Sequence, residues 1–249
     1  MNYAILTKYP VLAALVFPLV GNAVALDTQT RSYSITLGAS RIIFDAESDS
    51  YNLPIENKQP YPILVESRVM DEKSEKKSPD YIVTPPLFRL DSGQKNTISI
   101  IRVNASAPRT IESMHWICVK SIPPTEGSAW SDDDKKRSNG ILNVNVMVNS
   151  CIKLITRPAS LNIKDASYAS ALIWEQSKGA LTIKNPTPYF INFREIKING
   201  QPITPPIALK PQDVYRFAQK NIAHKGAKIT WSLINDYGGT TRDYQTLLD

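Results

Sequence analysis

Side chains able to carry catalysis or hold a metal are scarce in this chain. Its 249 residues include two histidines and two cysteines. His115 and His224 fall in different predicted domains, so no zinc-ligand set can be assembled and no metal is expected. There is no Gly-x-Ser-x-Gly nucleophile turn, no phosphate loop and no dinucleotide fingerprint. His115 alternates with Ile117 and reads as a strand residue rather than a base. The chain is therefore not read as an enzyme, and no cofactor is expected. Positive charge is in mild excess, +6, but it is scattered, without a basic block or an aromatic-basic stripe. A nucleic-acid partner is not expected.

Long apolar runs are also missing. The one near the start, Val11 to Val20, is interrupted by Pro18 and is short for a membrane span. Lys8 precedes it and Ala23-Val-Ala25 follows, the small-x-small form of a signal-peptidase site. Residues 1–25 are read as a cleaved secretory signal, with an uncleaved anchor as the alternative. The mature chain then begins near Leu26, with no integral span, and holds about 224 residues, enough for two ordinary domains. In an exported protein the small, even cysteine count suggests one disulfide, Cys118 to Cys151, with two free buried thiols as the alternative.

What the chain does have is proline and alternation. Eighteen prolines and few helical periods favour an all-β fold. Thr30 to Leu37 places Tyr33, Ile35 and Leu37 at every second position. Short apolar segments separated by turn signals continue to Glu112–Lys120, halted by Pro123-Pro124. This spacing indicates an immunoglobulin-like sandwich. Residues 125–140 are nearly devoid of apolar side chains and read as a long connection. Asn104-Ala-Ser106 matches a glycosylation triplet, a pattern common by chance.

The next stretch is the most informative. Leu142, Val144, Val146 and Val148 alternate with Asn143, Asn145, Met147 and Asn149, forming one apolar row on one strand face. The row packs either on the protein's own core or on another protein. Alternation slips by one between Val148 and Lys153, which predicts a bulge or a change of facing. A second set of strands follows a boundary near Pro158, with Asn199-Gly200 as a tight hairpin turn. Arg41 and Lys153 are cations inside apolar strands. They lie either on solvated faces or where a carboxylate is captured, since Arg offers two parallel donors and Lys a point charge.

The segments Ser40-Arg-Ile-Ile-Phe44, Thr84-Pro-Pro-Leu-Phe-Arg-Leu90, Ile122-Pro-Pro124, Ile152-Lys-Leu-Ile-Thr-Arg-Pro158 and Ile234-Asn-Asp-Tyr-Gly-Gly239 resemble the periplasmic pilus chaperones of the chaperone–usher pathway. The segments span nearly all of the mature chain. The resemblance implies an all-β protein of two immunoglobulin-like β-sandwich domains in a boomerang, over 26–158 and 159–249, acting in the periplasm. It implies that Arg41 and Lys153 anchor a subunit's C-terminal carboxylate, and that Leu142, Val144, Val146 and Val148 form a donor strand. Glu112, Arg157 and Asp236 would fix the interdomain angle.

The long connection, the alternating first strand and the cysteine pair are similar to the long-loop subclass, which assembles fimbrial or capsule-like nonpilus adhesins. Tyr33, Ile35 and Leu37 would then contact the subunit. Implied partners are a fimbrial or nonpilus adhesin subunit and an outer-membrane usher. Self-capping by oligomerisation of the free chain is left open. The competing reading is an immunoglobulin-like structural subunit or adhesin of the fibre itself.

Overall fold

The structure is a computed structural model that describes residues 27–104, 110–124, 141–161, 167–177 and 179–249. The expected signal 1–25, the connection 125–140, and Ala105 and Ser106 of the glycosylation triplet lie outside the described residues.

The first half of the chain forms β1 (Asp27–Tyr33), β2 (Thr36–Leu37), β3 (Arg41–Asp45), β4 (Ser50–Glu56), β5 (Ile63–Met70), β6 (Tyr81–Thr84), β7 (Leu87–Leu90), β8 (Lys95–Arg102), β9 (Ser113–Ile122), β10 (Ile141–Met147) and β11 (Asn149–Arg157). They make a five-stranded sheet of order β3-β11-β9-β5-β7 and a four-stranded sheet of order β2-β4-β8-β6. Alternation decides the layers. In β5, Ile63, Val65 and Val69 are buried while Leu64, Glu66 and Arg68 are less so. With Ile42, Leu90, Ile117 and Leu154 they meet Leu53, Ile55, Tyr81, Ile98 and Ile100 from the facing sheet in one core.

The second half forms β12 (Ile173–Ser177), β13 (Ala180–Lys184), β14 (Phe193–Ile198), β15 (Gln201–Ile203), β16 (Val214–Lys220), β17 (Lys228–Leu233) and β18 (Tyr244–Leu247). Sheets of order β12-β13-β16 and β15-β14-β17-β18 enclose a separate core around Trp174, Ile183, Ile196, Phe217 and Trp231. The protein is thus two all-β sandwiches in series, with one 3-10 turn, Ser167–Ala171, and no α-helix among the described residues. Asn199 and Gly200 both take positive φ, 49° and 82°, between β14 and β15. That is the backbone a two-residue hairpin requires, as the sequence predicts.

Two expectations change. Residues 30–37 are not one strand: β1 ends at Tyr33 and β2 pairs with β4 in a different sheet. The sequence from Tyr189 to Ile198, Tyr-Phe-Ile-Asn-Phe-Arg-Glu-Ile-Lys-Ile, reads as one strand of the second set, but it becomes a strand only at Phe193. Asn185 holds the preceding turn, donating from Nδ2 to the carbonyls of Tyr189 (2.7 Å) and Lys210 (2.8 Å). Pro186 and Pro188 also lack the N–H groups a ladder needs.

Candidate functional site at the domain junction

Arg41 opens β3 and Lys153 lies in β11, and the parallel register of these strands sets the two cations side by side. Their neighbours Ile42 and Leu154 point into the core, so alternation turns Arg41, Lys153, Ile155 and Arg157 toward the other domain. The C-terminal domain supplies their acceptors. Arg41 donates from Nη1 to the carbonyl of Ile234 at 3.2 Å, while its buried Nε has no hydrogen-bond partner among the described residues. Lys153 donates from Nζ to Asn192 Oδ1 and to the carbonyl of Ile207, and lies 5.7 Å from the ring centre of Trp116.

Neither cation forms an ion pair among the described residues. Burial lowers the pKa of Arg41 despite the opposing pull of Asp236. Burial first, and the neighbouring charge of Arg41 second, bring Lys153 down to about 8. Two half-buried like charges are destabilised by each other and by lost water, and an incoming anion relieves both costs. A carboxylate suits the pair, because a guanidinium meets both of its oxygens.

A second charged set fastens the domains nearby. Arg157 donates from Nε to Glu112 Oε1 at 2.6 Å, and its two Nη atoms meet the two oxygens of Asp236 at 2.6 and 2.9 Å. Glu112 is buried, and its other oxygen accepts the backbone N–H of Phe190 at 2.7 Å. Burial raises the Glu112 pKa, with Arg157 opposing. For Arg157, burial pulls downward, but the hydrogen bonds to Asp236 and the charge of Glu112 outweigh it and hold the guanidinium charged. Met114, Ile155 and Phe190 form a small apolar cluster, with Ile43, Trp116 and Ala208 packed on it. It bridges the two domains, and Lys210 pairs with Glu72 across the same junction at 2.6 Å.

The apolar row stands apart from both cores. Leu142, Val144 and Val146 are 48%, 36% and 43% exposed. Among the described residues their strand β10 pairs only with β1, in parallel, from Asp27↔Ile141 to Tyr33↔Met147. A two-stranded ribbon leaves an unpaired edge on each strand. Among the described residues, these three side chains belong to neither buried core. Val148 is half-buried at the ribbon's foot. Its N–H donates to the Tyr33 carbonyl at 2.9 Å, and its carbonyl accepts Ser121 N–H at 3.1 Å.

The slip expected between Val148 and Lys153 is thus a change of partner at Val148, not a bulge farther on. β11 pairs with β9 from Asn149↔Lys120 to Thr156↔Ser113 without a shift. Cys118 and Cys151 face each other in that pairing and form the disulfide.

Tyr33, Ile35 and Leu37 need correction as surface contacts. Tyr33 and Ile35 are buried in the N-terminal core, and Leu37 packs against it half-buried. The alternation was real, but its apolar side faces inward. The sequence reading also missed Asn192, Ile207 and Phe190, which the second domain brings to the junction. One local signal was available. Leu154 and Ile155 are consecutive and apolar, so β11 buries both of its faces.

Two family models match the chain. The pili and flagellar-assembly chaperone PapD N-terminal domain covers residues 34–162, and the pili assembly chaperone PapD C-terminal domain covers 167–245. The chain belongs to this family of pilus-assembly chaperones. It is a chaperone and not an enzyme. Chaperone protein caf1M of Yersinia pestis is 37% identical over 222 residues, 86% of each chain. Chaperone protein AggD of Escherichia coli is 32% identical over 227 residues, covering 90% of this chain and 89% of that protein.

Among solved structures, the E. coli chaperone DraB superposes with a TM-score of 0.75 at 34% identity, covering 89% of this chaperone and 100% of DraB. The SafB chaperone of Salmonella enterica, solved in complex with the SafA pilin, gives a TM-score of 0.77 at 30% identity, covering 90% and 100%. No helix among the described residues is long and apolar enough to cross a membrane.

Proposed function

We propose that this chaperone works in the periplasm, where it binds, folds and caps fimbrial or nonpilus adhesin subunits by lending them β10, and then delivers them to an outer-membrane usher. The observation that carries the reading is the exposed row Leu142, Val144, Val146 on a strand that, among the described residues, pairs on one edge alone, joined through Val148 to the strand that bears Lys153. A subunit lacking its final strand has an open core and an exposed edge. β10 supplies backbone hydrogen bonds to that edge and apolar side chains to that core, which is strand addition. Each anchor fully buried contributes about 1.5–3 kcal/mol before ordering costs.

Arg41 and Lys153 receive the subunit's C-terminal carboxylate and so set the register of the added strand. Glu112, Arg157 and Asp236 hold the two domains at the angle that keeps the acceptors near the cations. In this reading residues 1–25 are the export signal, and the domains divide near Pro158. The loaned strand is released when the next subunit offers its own segment, so no nucleotide is consumed.

The test is rescue of a co-expressed subunit. Arg41→Ala and Lys153→Ala each abolish recovery of folded subunit while the chaperone itself stays folded. Normal recovery with well-expressed variants contradicts the anchoring role.

A further inference from the structure

A C-terminal carboxylate is present on every exported polypeptide, so an anchor made of two cations alone carries no information about which chain it holds. Charge gives capture and orientation; discrimination has to come from side chains beside the carboxylate. Two large exposed side chains belong to the segments whose carbonyls hold the cations. The carbonyl that holds Lys153 belongs to Ile207, whose side chain is 77% exposed. Arg41 is held by the carbonyl of Ile234, three residues before Tyr237, which is 97% exposed. Because Arg41 and Lys153 are register neighbours, the backbone segments that carry Ile207 and Tyr237 both reach the same pair of cations from the C-terminal domain.

Both residues sit on fixed backbone. Ile207 lies between buried Pro206 and buried Leu209, and Leu209 exchanges two 2.9 Å hydrogen bonds with Ile191. Asn235 Oδ1 accepts the N–H groups of Tyr237 (3.1 Å) and Gly239 (2.9 Å). Gly238 closes the turn at a φ of 83°, and a Cβ there would come within 2.3 Å of Ser40 Oγ. The turn carrying Tyr237 is therefore docked on the residue next to Arg41. A Cβ at 238 would require the Ser40 hydroxyl to move, and the left-handed φ already disfavours one.

We propose that Ile207 and Tyr237 are the side-chain-reading part of the anchor, and that they select partners whose last residue is apolar or aromatic. The inference rests on the carboxylate reading of Arg41 and Lys153. A terminal side chain lies within one residue's length, about 3.3 Å along a strand, of the carboxylate. Ile207 and Tyr237 can then cover it from the domain-two side while the cations hold the charge.

The probes are ten-residue peptides of alternating apolar sequence ending in Phe or Ser as free acids, and the Phe peptide as an amide, titrated into the full chain by calorimetry. The unaltered chain prefers Phe over Ser by on the order of tenfold or more. The double variant Ile207→Ser/Tyr237→Ser reduces that preference to about twofold or less, with an unchanged melting temperature because both side chains are solvent-exposed. Retention of the full preference by the double variant overturns the proposal, as does equal binding of Phe and Ser peptides by the unaltered chain. Loss of the acid-over-amide preference in Arg41→Ala keeps the anchor intact as a reading. Equal binding of acid and amide by the unaltered chain, or no binding of any peptide, refutes the anchor itself.

Discussion

The backbone N–H of Val148 donates to the carbonyl of Tyr33 at 2.9 Å, and at this bond both strands of the ribbon join the N-terminal sandwich. On one side of it, β1 and β10 pair only with each other among the described residues; on the other, the chain enters the two sheets of the sandwich. The exposed row and Lys153 therefore lie on one continuous segment but in different sheets, with Arg41 beside Lys153 on β3.

That placement separates binding from stability. Val146→Asp puts a charge on the exposed face of β10 and leaves the core untouched. Subunit affinity is expected to fall at least tenfold, since one buried apolar anchor is worth about 1.5–3 kcal/mol. The melting temperature of the free chaperone should move little. Unfolding of the free protein by this change contradicts the assignment of the row to a partner.

Lys153 makes binding depend on pH. Its pKa is held at about 8 by burial and by Arg41, below its ordinary value. A bound carboxylate favours the charged form, so binding takes up a proton above about pH 8. Subunit affinity is expected to be flat from about pH 6 to 7.5 and then to fall, by at most roughly tenfold per pH unit. In the free chaperone the folded state holds fewer protons than the unfolded one between about pH 8 and 10.5, so this group's contribution to stability rises with pH there. A Lys153→Arg variant should bind with no such decline, which calorimetry across the range checks.

Arg157→Ala leaves Glu112 buried without its counter-ion and frees Asp236. The expected cost is about 3–5 kcal/mol, because removing one partner of a buried ion set strands the other. Denaturant unfolding of the free chaperone measures it. A loss below about 1 kcal/mol would place the set among exposed pairs of little weight.

The disulfide between Cys118 and Cys151 ties β9 to β11 three residues from the ribbon's foot. Replacing both cysteines by serine is expected to lower unfolding free energy by about 3–4 kcal/mol, from the entropy of a 33-residue loop. Chemical denaturation under oxidising conditions provides the measurement.

Much of this was legible in the chain because it depends on short-range pattern. The row from Leu142 to Val148, the Asn199-Gly200 turn and the cation beside each core residue follow from strand alternation and turn chemistry. What alternation does not state is which side of a strand is inside. Tyr33 and Ile35 repeat with the same period as Leu142 and Val144, yet they lie in the core. The deciding fact is position along the ribbon: Tyr33 ends β1 where Val148 joins the sandwich and Ile35 lies past that point, whereas Leu142 and Val144 lie farther out on β10. The acceptors Asn192, Ile207 and Ile234 were invisible for a related reason. They come from 39 to 193 positions away and carry no local signature, two of them acting through backbone carbonyls.

The loan of β10 itself is tested most directly by amide hydrogen exchange across Leu142–Met147, free and in complex with a co-expressed subunit. In a parallel pair, half of the β10 amides point at β1 and half point away. The account predicts that the outward half exchanges fast in the free chaperone and becomes protected in the complex. Formation of a stable complex with those amides still exchanging fast would contradict it.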